Sequence, residues 1–257
     1  MSALAPELLL TGLLATVRVV VLVTVAPLFA HLAVPIRVRS AMALVIALVL
    51  TPTLPAPALA QPVQLASLGL AVLGEVAVGA ALGFATRLVF DAIGFFGGLY
   101  ATQCGLGAAS VIDPSSGASS TAPSMLLEAI AMLIYLGIDG HHALLRAAAA
   151  SFEVLPPGGG GPGPESMLAI ATLGSQVFSI GAALAAPVTV AMLVANLALG
   201  VLGRALPEMN LMMVQIPAHV MLGFALLLAG ATPLGRTLVT TLATYSERAI
   251  AAVLGGA

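Results

Sequence analysis

The chain has 257 residues, 60% of them hydrophobic and only 7% charged, with a formal net charge of −2, which excludes an ordinary soluble domain and points to a protein that sits in a membrane or is assembled there. Its eight basic residues are all arginine and are outnumbered by ten acids, which leaves no nucleic-acid footprint. The single Cys104 permits neither an intramolecular disulfide framework nor a thiolate metal cluster.

The N-terminal sequence MSALAPELLL has no basic region ahead of its apolar run, and Arg18 lies inside that run, so a cleaved signal peptide is not expected. Residues 8–30 form the first candidate span, long enough at about 1.5 Å per residue to cross a hydrocarbon core of roughly 30 Å. Pro27 should end or kink it. A second apolar run, 41–50, stops at Pro52 and is followed by Pro55, Pro57 and Pro62. At roughly eleven residues it is too short to span and suits a helix buried against protein.

Residues 63–99 are apolar for almost forty residues, interrupted by the charges Glu75, Arg87 and Asp91, and read as one long bent helix or two pieces. Each such charge costs roughly 2.5 to 3.5 kcal/mol at the centre of a membrane helix, so the three should be buried against protein, face water or face one another. Arg87 and Asp91, four apart, can pair on one helix face, either as a structural ion pair or as part of an ion site. Gly79 and Gly83, then Gly94 and Gly98, repeat the small-x-x-x-small spacing that lets helices approach closely.

Residues 103–124, QCGLGAASVIDPSSGASSTAPS, break this pattern with small residues, two prolines and Asp113 as the only charge. Uncovered peptide groups at membrane depth cost several kcal/mol each, so the segment is either a polar surface connector or lines a protein-walled cavity. Its length without periodicity favours a functional role.

Residues 124–138 are the next apolar segment, carrying Glu128 near the start and ending at Asp139-Gly140, with His141 and His142 beyond. The Gly- and Pro-rich loop 156–166 reads as a flexible division. Residues 167–206 form another long apolar region, interrupted at Pro187 and closing at Arg204 and Pro207. Residues 211–231 are the final candidate span, containing Pro217 and His219. The expectation is therefore an all-α membrane protein of about six apolar segments, with one helical domain over 1–232 and a short, mildly amphipathic tail over 233–257. Arginines divide three to three between the two sides, so charge gives no orientation.

Catalytic patterns are missing. No H-E-x-x-H occurs, the adjacent His141 and His142 are expected to place their rings on different helix faces, and Gly158–Gly161 lacks the lysine of a phosphate loop. Ser116-Gly117 is too common a dipeptide to mark a nucleophile. No enzymatic activity, metal or cofactor is expected.

Several blocks in order carry a resemblance: Arg18 with Pro27, Val34-Pro35 and Arg37; GEVAVGAALGFATRLVFDAIGFFGG; QCGLGAASVIDP; GHHALL followed by SFEVLPPG; and ALGVLGRALPEMN, which contains Arg204, Pro207 and Asn210. Together they resemble the FliR family of flagellar biosynthesis proteins, whose injectisome relatives are the SctT-type export apparatus proteins of type III secretion. The resemblance implies a non-catalytic core subunit of the flagellar protein export gate, in the bacterial inner membrane at the flagellar basal body. It further implies assembly with FliP-like and FliQ-like subunits and an FlhB-like protein, around a conduit for unfolded export substrates. Residues 103–124 would be a plug in that conduit, with Gln103, Gly105, Leu106, Val111, Ile112, Asp113 and Pro114 as its gate residues. Family plugs often carry an aromatic residue where this chain offers Leu106, Val111 and Ile112, and Glu208 stands where glutamine is usual. The alternatives are an injectisome subunit and a secondary ion-coupled transporter using Glu75, Arg87 and Asp91 as a relay.

Overall fold

The computed structural model describes residues 4–30, 34–59, 64–106, 121–205, 211–253 and 255, and every regular element among them is helical, as the composition predicts. In chain order these are α1 (Leu4–Val25), α2 (Pro27–Ala30), α3 (Ile36–Leu50) with a 3₁₀ turn at Thr51–Thr53, α4 (Leu65–Gln103), α5 (Ala122–Gly137), α6 (Gly140–Val154), α7 (Pro164–Ala205), α8 (Leu211–Ala229) and α9 (Ala231–Val253). Four stretches, Glu7–Val25, Ile36–Thr53, Leu65–Gln103 and Pro164–Ala205, are long and apolar enough to cross a membrane. The number rises to as many as six if the bent pairs α5–α6 and α8–α9 each count as one span.

Three sequence expectations change. The second apolar run is longer than its hydrophobic centre suggests, because Pro35 precedes the first helical turn and Arg37 and Arg39 lie within α3. Nor is it buried: only Ala43, Ala47 and Thr51 are covered, while Leu44, Val45, Leu48 and Val49 are exposed. The stretch after Thr232 belongs to a regular helix, α9, whose buried Leu238, Leu242, Tyr245 and Val253 recur at helical spacing. The glycine- and proline-rich loop does not divide the chain, since the residues on both sides of it belong to the same compact unit.

Two compact units are distinguishable by packing: Met1–Val89 with Tyr135–Ser175 and Ala243–Ala257, and Phe90–Ile134 with Gln176–Leu242. In the first, α1 buries Thr11, Leu14, Ala15, Arg18, Val19, Leu22 and Val23, the three-and-four spacing of a single helix stripe that Ala26 continues just beyond it. α4 answers with Ala71, Glu75, Val78, Leu82, Ala85 and Val89, a seven-residue repeat. Arg18 and Glu75 both fall on these stripes, so register alone forces both charges inward. α6 adds Leu144, Ala147, Ala148, Ser151 and Phe152 on the same principle.

Glycine decides how closely α1 and α4 approach. A Cβ at Gly79 would collide with the Arg18 carbonyl oxygen, and one at Gly83 would lie 2.8 Å from Val25 Cβ and 3.1 Å from the Leu22 oxygen. These are contacts within the chain, where the spacing alone left the partner helix open. α3 meets α1 through the small stripe Ala43, Ala47 and Thr51, with Thr51 Cγ2 3.3 Å from where a Cβ of Gly12 would sit. In the second unit, a Cβ at Gly97 would lie 2.7 Å from Ser124 Cα and one at Gly94 2.9 Å from the Glu128 carboxylate, whereas one at Gly98 would meet nothing within 4 Å. The close approach in that unit is therefore made by Gly97 in place of the expected Gly98.

Gly79→Ala should lower the stability of the subunit in detergent by about 1–3 kcal/mol, since backbone cannot yield as a side-chain tip can. Gly98→Ala should be neutral or slightly stabilising, because alanine is the better helix former. Thermal unfolding of the two purified variants checks the contrast, and equal melting temperatures would contradict it.

Candidate functional site

Arg18 lies on the buried stripe of α1 with 0% exposure, so each part of its guanidinium needs a partner. Its Nε donates to Glu75 Oε2 at 2.6 Å, its Nη1 to Ser151 Oγ at 3.0 Å and its Nη2 to the Leu155 carbonyl at 2.9 Å. The Phe152 ring packs over the guanidinium carbon at 4.0 Å from the ring centroid, a cation–π contact that favours a cation shielded from water. Glu75, equally enclosed, accepts the Gly158 amide on its second oxygen, Oε1, at 2.8 Å. Two helices, α1 and α4, thus supply opposite charges, while α6 and the turn after it supply the neutral groups.

That turn is the glycine- and proline-rich stretch. Gly158 and Gly160 adopt φ of 78° and 104°, backbone that favours glycine. The Pro157 carbonyl accepts the Ala58 amide at 2.8 Å, and a Cβ on Gly74 would lie 2.7 Å from the Gly160 carbonyl carbon. The loop is thereby built into the first unit. Its composition suggested flexibility because it lacks side chains for packing; the structure fixes it through backbone groups instead.

Of the three charges expected to be shielded, only Glu75 is buried, and its partner is Arg18, fifty-seven positions away. Arg87 and Asp91 are exposed on this chain. They fall outside the α4 stripe that carries Glu75, which is why they do not share its burial. Arg18 stood in the sequence as an anomaly inside an apolar run; its place on the i, i+3, i+4 stripe was the signal that could have paired it with Glu75.

The segment 103–124 is described at its two ends, while Val111, Ile112, Asp113 and Pro114 lie outside the described residues. α4 ends at Gln103 with a glycine cap: Gly105 takes φ 73°, the Leu106 amide donates to the Ala101 carbonyl at 2.9 Å and the Gly105 amide to Thr102 at 3.1 Å. These crossed bonds are the Schellman arrangement, which satisfies carbonyls that a helix end leaves open. Leu106 is half-buried. At the other end Thr121 precedes α5, its hydroxyl 3.1 Å from Ser124 Oγ and its carbonyl accepting the Met125 amide at 3.0 Å. Pro123 falls in the first turn of α5, where a missing amide costs nothing. The contact of Gly97 with Ser124 holds the two ends of the segment together, and Cys104 packs where Gly223 has no side chain.

Arg204 is exposed in the last turn of α7, and Pro207 and Asn210 lie outside the described residues. The two adjacent histidines do not point apart as expected. Their ring centroids are 4.0 Å apart and the rings tilt by 37°, because His141 and His142 begin a helix, where side chains are not held by a preceding turn. On α8, buried His219 places Nε2 2.8 Å from Asn196 Oδ1 and Nδ1 2.7 Å from the Gln215 carbonyl, a tie between α8 and α7 that the sequence did not disclose.

The sequence pattern of the family described as bacterial export proteins, family 1, matches residues 9–244. The flagellar biosynthetic protein FliR of Caulobacter vibrioides (strain ATCC 19089 / CIP 103742 / CB 15) is 35% identical over 211 residues, 82% of this chain and 84% of that protein. FliR of Escherichia coli (strain K12) is 32% identical over 82% of this chain and 80% of its own length. FliR of Bacillus subtilis (strain 168) is 28% identical over 84% of each.

Glu75→Gln should cost about 3–5 kcal/mol of stability, because it leaves the Arg18 charge buried without a counter-charge. Arg18→Met combined with Glu75→Leu should be less harmful than Glu75→Gln alone, since a matched apolar pair removes both charges together. Protease resistance and yield of folded protein in detergent check the order; a double variant worse than the single would contradict it.

Proposed function

The chain belongs to the bacterial export proteins, family 1, and on that premise we propose that it is a core subunit of the flagellar protein export gate, helping to form and seal the conduit that unfolded flagellar proteins traverse. The observation that carries the reading is similarity to flagellar biosynthetic proteins FliR over about four-fifths of both chains. Its place is the bacterial inner membrane, at the flagellar basal body, supported by helices long and apolar enough to span. Its role is structural and non-catalytic: the buried Arg18, Glu75 and Ser151 serve one another. FliP-like and FliQ-like subunits and an FlhB-like protein are its proposed neighbours, and the exposed apolar sides of α3 and α7 give it surfaces to meet lipid or such partners.

The flagellar names of the relatives support this reading over an injectisome subunit. The ion-coupled transporter reading loses its central residue, since both Glu75 oxygens are taken by Arg18 and Gly158. Single-domain organisation over 1–232 remains part of the proposal, with the two compact units as regions of one working subunit.

Residues 103–124 are the proposed plug, with Leu106, Val111 and Ile112 as the bulky groups that exclude water. A conduit wide enough for an extended polypeptide passes water and ions unless protein fills it. The described ends of the segment are anchored by residues up to Leu106 and from Thr121, so the deletion is placed between them. Removing Ser115–Ser120 while keeping Thr121, or replacing Leu106, Val111 and Ile112 together by glycine, should leave the complex assembled and make cells permeable to small dyes and ions. Substitution of Ser115, Ser116 or Ser119 alone should change little. Tight membranes in cells whose shortened and triple-glycine variants assemble fully would return the segment to a simple connector.

A further inference from the structure

Asp139, His141 and His142 form a cluster at the bend between α5 and α6 that the export function leaves unexplained. One ligand atom from each of the three lies within 4.8 Å of the others. Asp139 takes φ 57°, a left-handed conformation that only a few side-chain-bearing residues adopt readily, and its carbonyl accepts the Ala143 amide at 3.1 Å to open α6. Tyr135 also ties the bend, its hydroxyl donating to the Gly140 carbonyl at 2.8 Å. The cluster thus stands on fixed backbone.

A purely structural account covers only part of it. His142 Nδ1 sits 3.0 Å from Asp139 Oδ1, an ordinary first-turn interaction. His141, however, keeps its Nδ1 buried with no hydrogen-bond partner, a state that buried polar atoms rarely hold without an unseen ion or water. Its ring lies against that of His142, which brings both imidazoles to the same side.

We infer that Asp139, His141 and His142 bind one divalent transition-metal ion, zinc or a similar borderline cation. Two imidazoles and one carboxylate suit zinc, nickel or copper and are a poor set for magnesium or calcium, which take oxygen ligands. A tetrahedral ion with bonds of about 2.0–2.2 Å holds its ligand atoms about 3.3–3.6 Å apart, so the three must close by roughly an ångström. The side chains of His142 and Asp139 are 57% and 69% exposed and free to rotate by that much. Three protein ligands leave a coordination position for water or for a donor from a neighbouring protein. The ion would tie the bend of Asp139 to the first turn of α6.

The test uses the full chain in detergent, without a polyhistidine tag, stripped by a chelator. Calorimetric titration with zinc should show one saturable site per chain, and cobalt should give the intense visible bands of a tetrahedral site. His142→Ala and His141→Gln should each weaken zinc binding by at least about tenfold. Asp139→Asn, which keeps a residue tolerant of the left-handed backbone, should weaken it comparably. Absence of a saturable site, or unchanged affinity in both histidine variants, would overturn the assignment. Unchanged affinity in Asp139→Asn alone would overturn the three-ligand site in favour of a two-histidine one.

Discussion

The structure of the first unit depends on the buried ion pair between Arg18 and Glu75. Arg18 and Glu75 stand on the inward stripes of two apolar helices, so each must find its opposite or leave a bare charge in an apolar interior. The requirement acts as a register mark. Sliding α1 along α4 by one turn, about 5.4 Å, would keep most aliphatic contacts interchangeable but would separate the charges. Aliphatic packing alone discriminates poorly between such alignments, whereas the pair, with Ser151, Leu155 and Gly158 completing its hydrogen bonds, accepts one. Gly79 belongs to the same constraint, since the Arg18 backbone lies where its side chain would be.

The outward distribution follows from the solvent such a protein meets. Leu44, Val45, Leu48 and Val49 on α3 and Val190, Leu193, Val194, Leu197 and Val201 on α7 are exposed, while the charges of Arg18 and Glu75 are held inside. Lipid chains are as apolar as leucine, so burial of aliphatic surface does little to draw membrane helices together. Close backbone packing and polar ties must supply the specificity. The contacts within this chain are of that kind: Gly79 and Gly83 against α1, Ala43 and Ala47 against α1, His219 to Asn196, and the Tyr245 hydroxyl to the Leu173 carbonyl. The exposed aliphatic faces are available to lipid or to unlike subunits.

How much of this was legible depends on whether the signal was local. Helix class, the long α4 and α7, the kink at Pro27 and the end of α4 near Gln103 follow from runs of aliphatic residues and their breakers. The Arg18–Glu75 pair is separated by fifty-seven positions, and local spacing favoured the Arg87–Asp91 pair, which is four apart but lies off the buried stripe. The two glycine-rich segments, 103–124 and 156–166, read alike in composition. What fixes the second is a carboxylate eighty-three positions upstream, and no feature of the loop itself announces it. Small-x-x-x-small spacing found Gly79 and Gly83 but missed by one residue at Gly97, because it counts glycines without knowing which face is covered.

If residues 103–124 act as the proposed plug, the anchoring of their two ends bears on how sealing and assembly can be separate properties of one subunit. The Schellman cap at Gly105 satisfies the end of α4 with backbone from Ala101 to Leu106 alone, and Thr121 does the same for α5 with its own first turn. Gly97 against Ser124 then joins the two helices just inside those caps. None of these interactions uses a residue between 107 and 120. Between 107 and 120 the sequence offers small residues, the single Pro114 and, as bulky groups, Val111 and Ile112, a composition that does not favour a regular helix. For the proposed plug this means that the helix ends on either side are closed by residues up to Leu106 and from Thr121, so the base of the segment is held by the helices themselves.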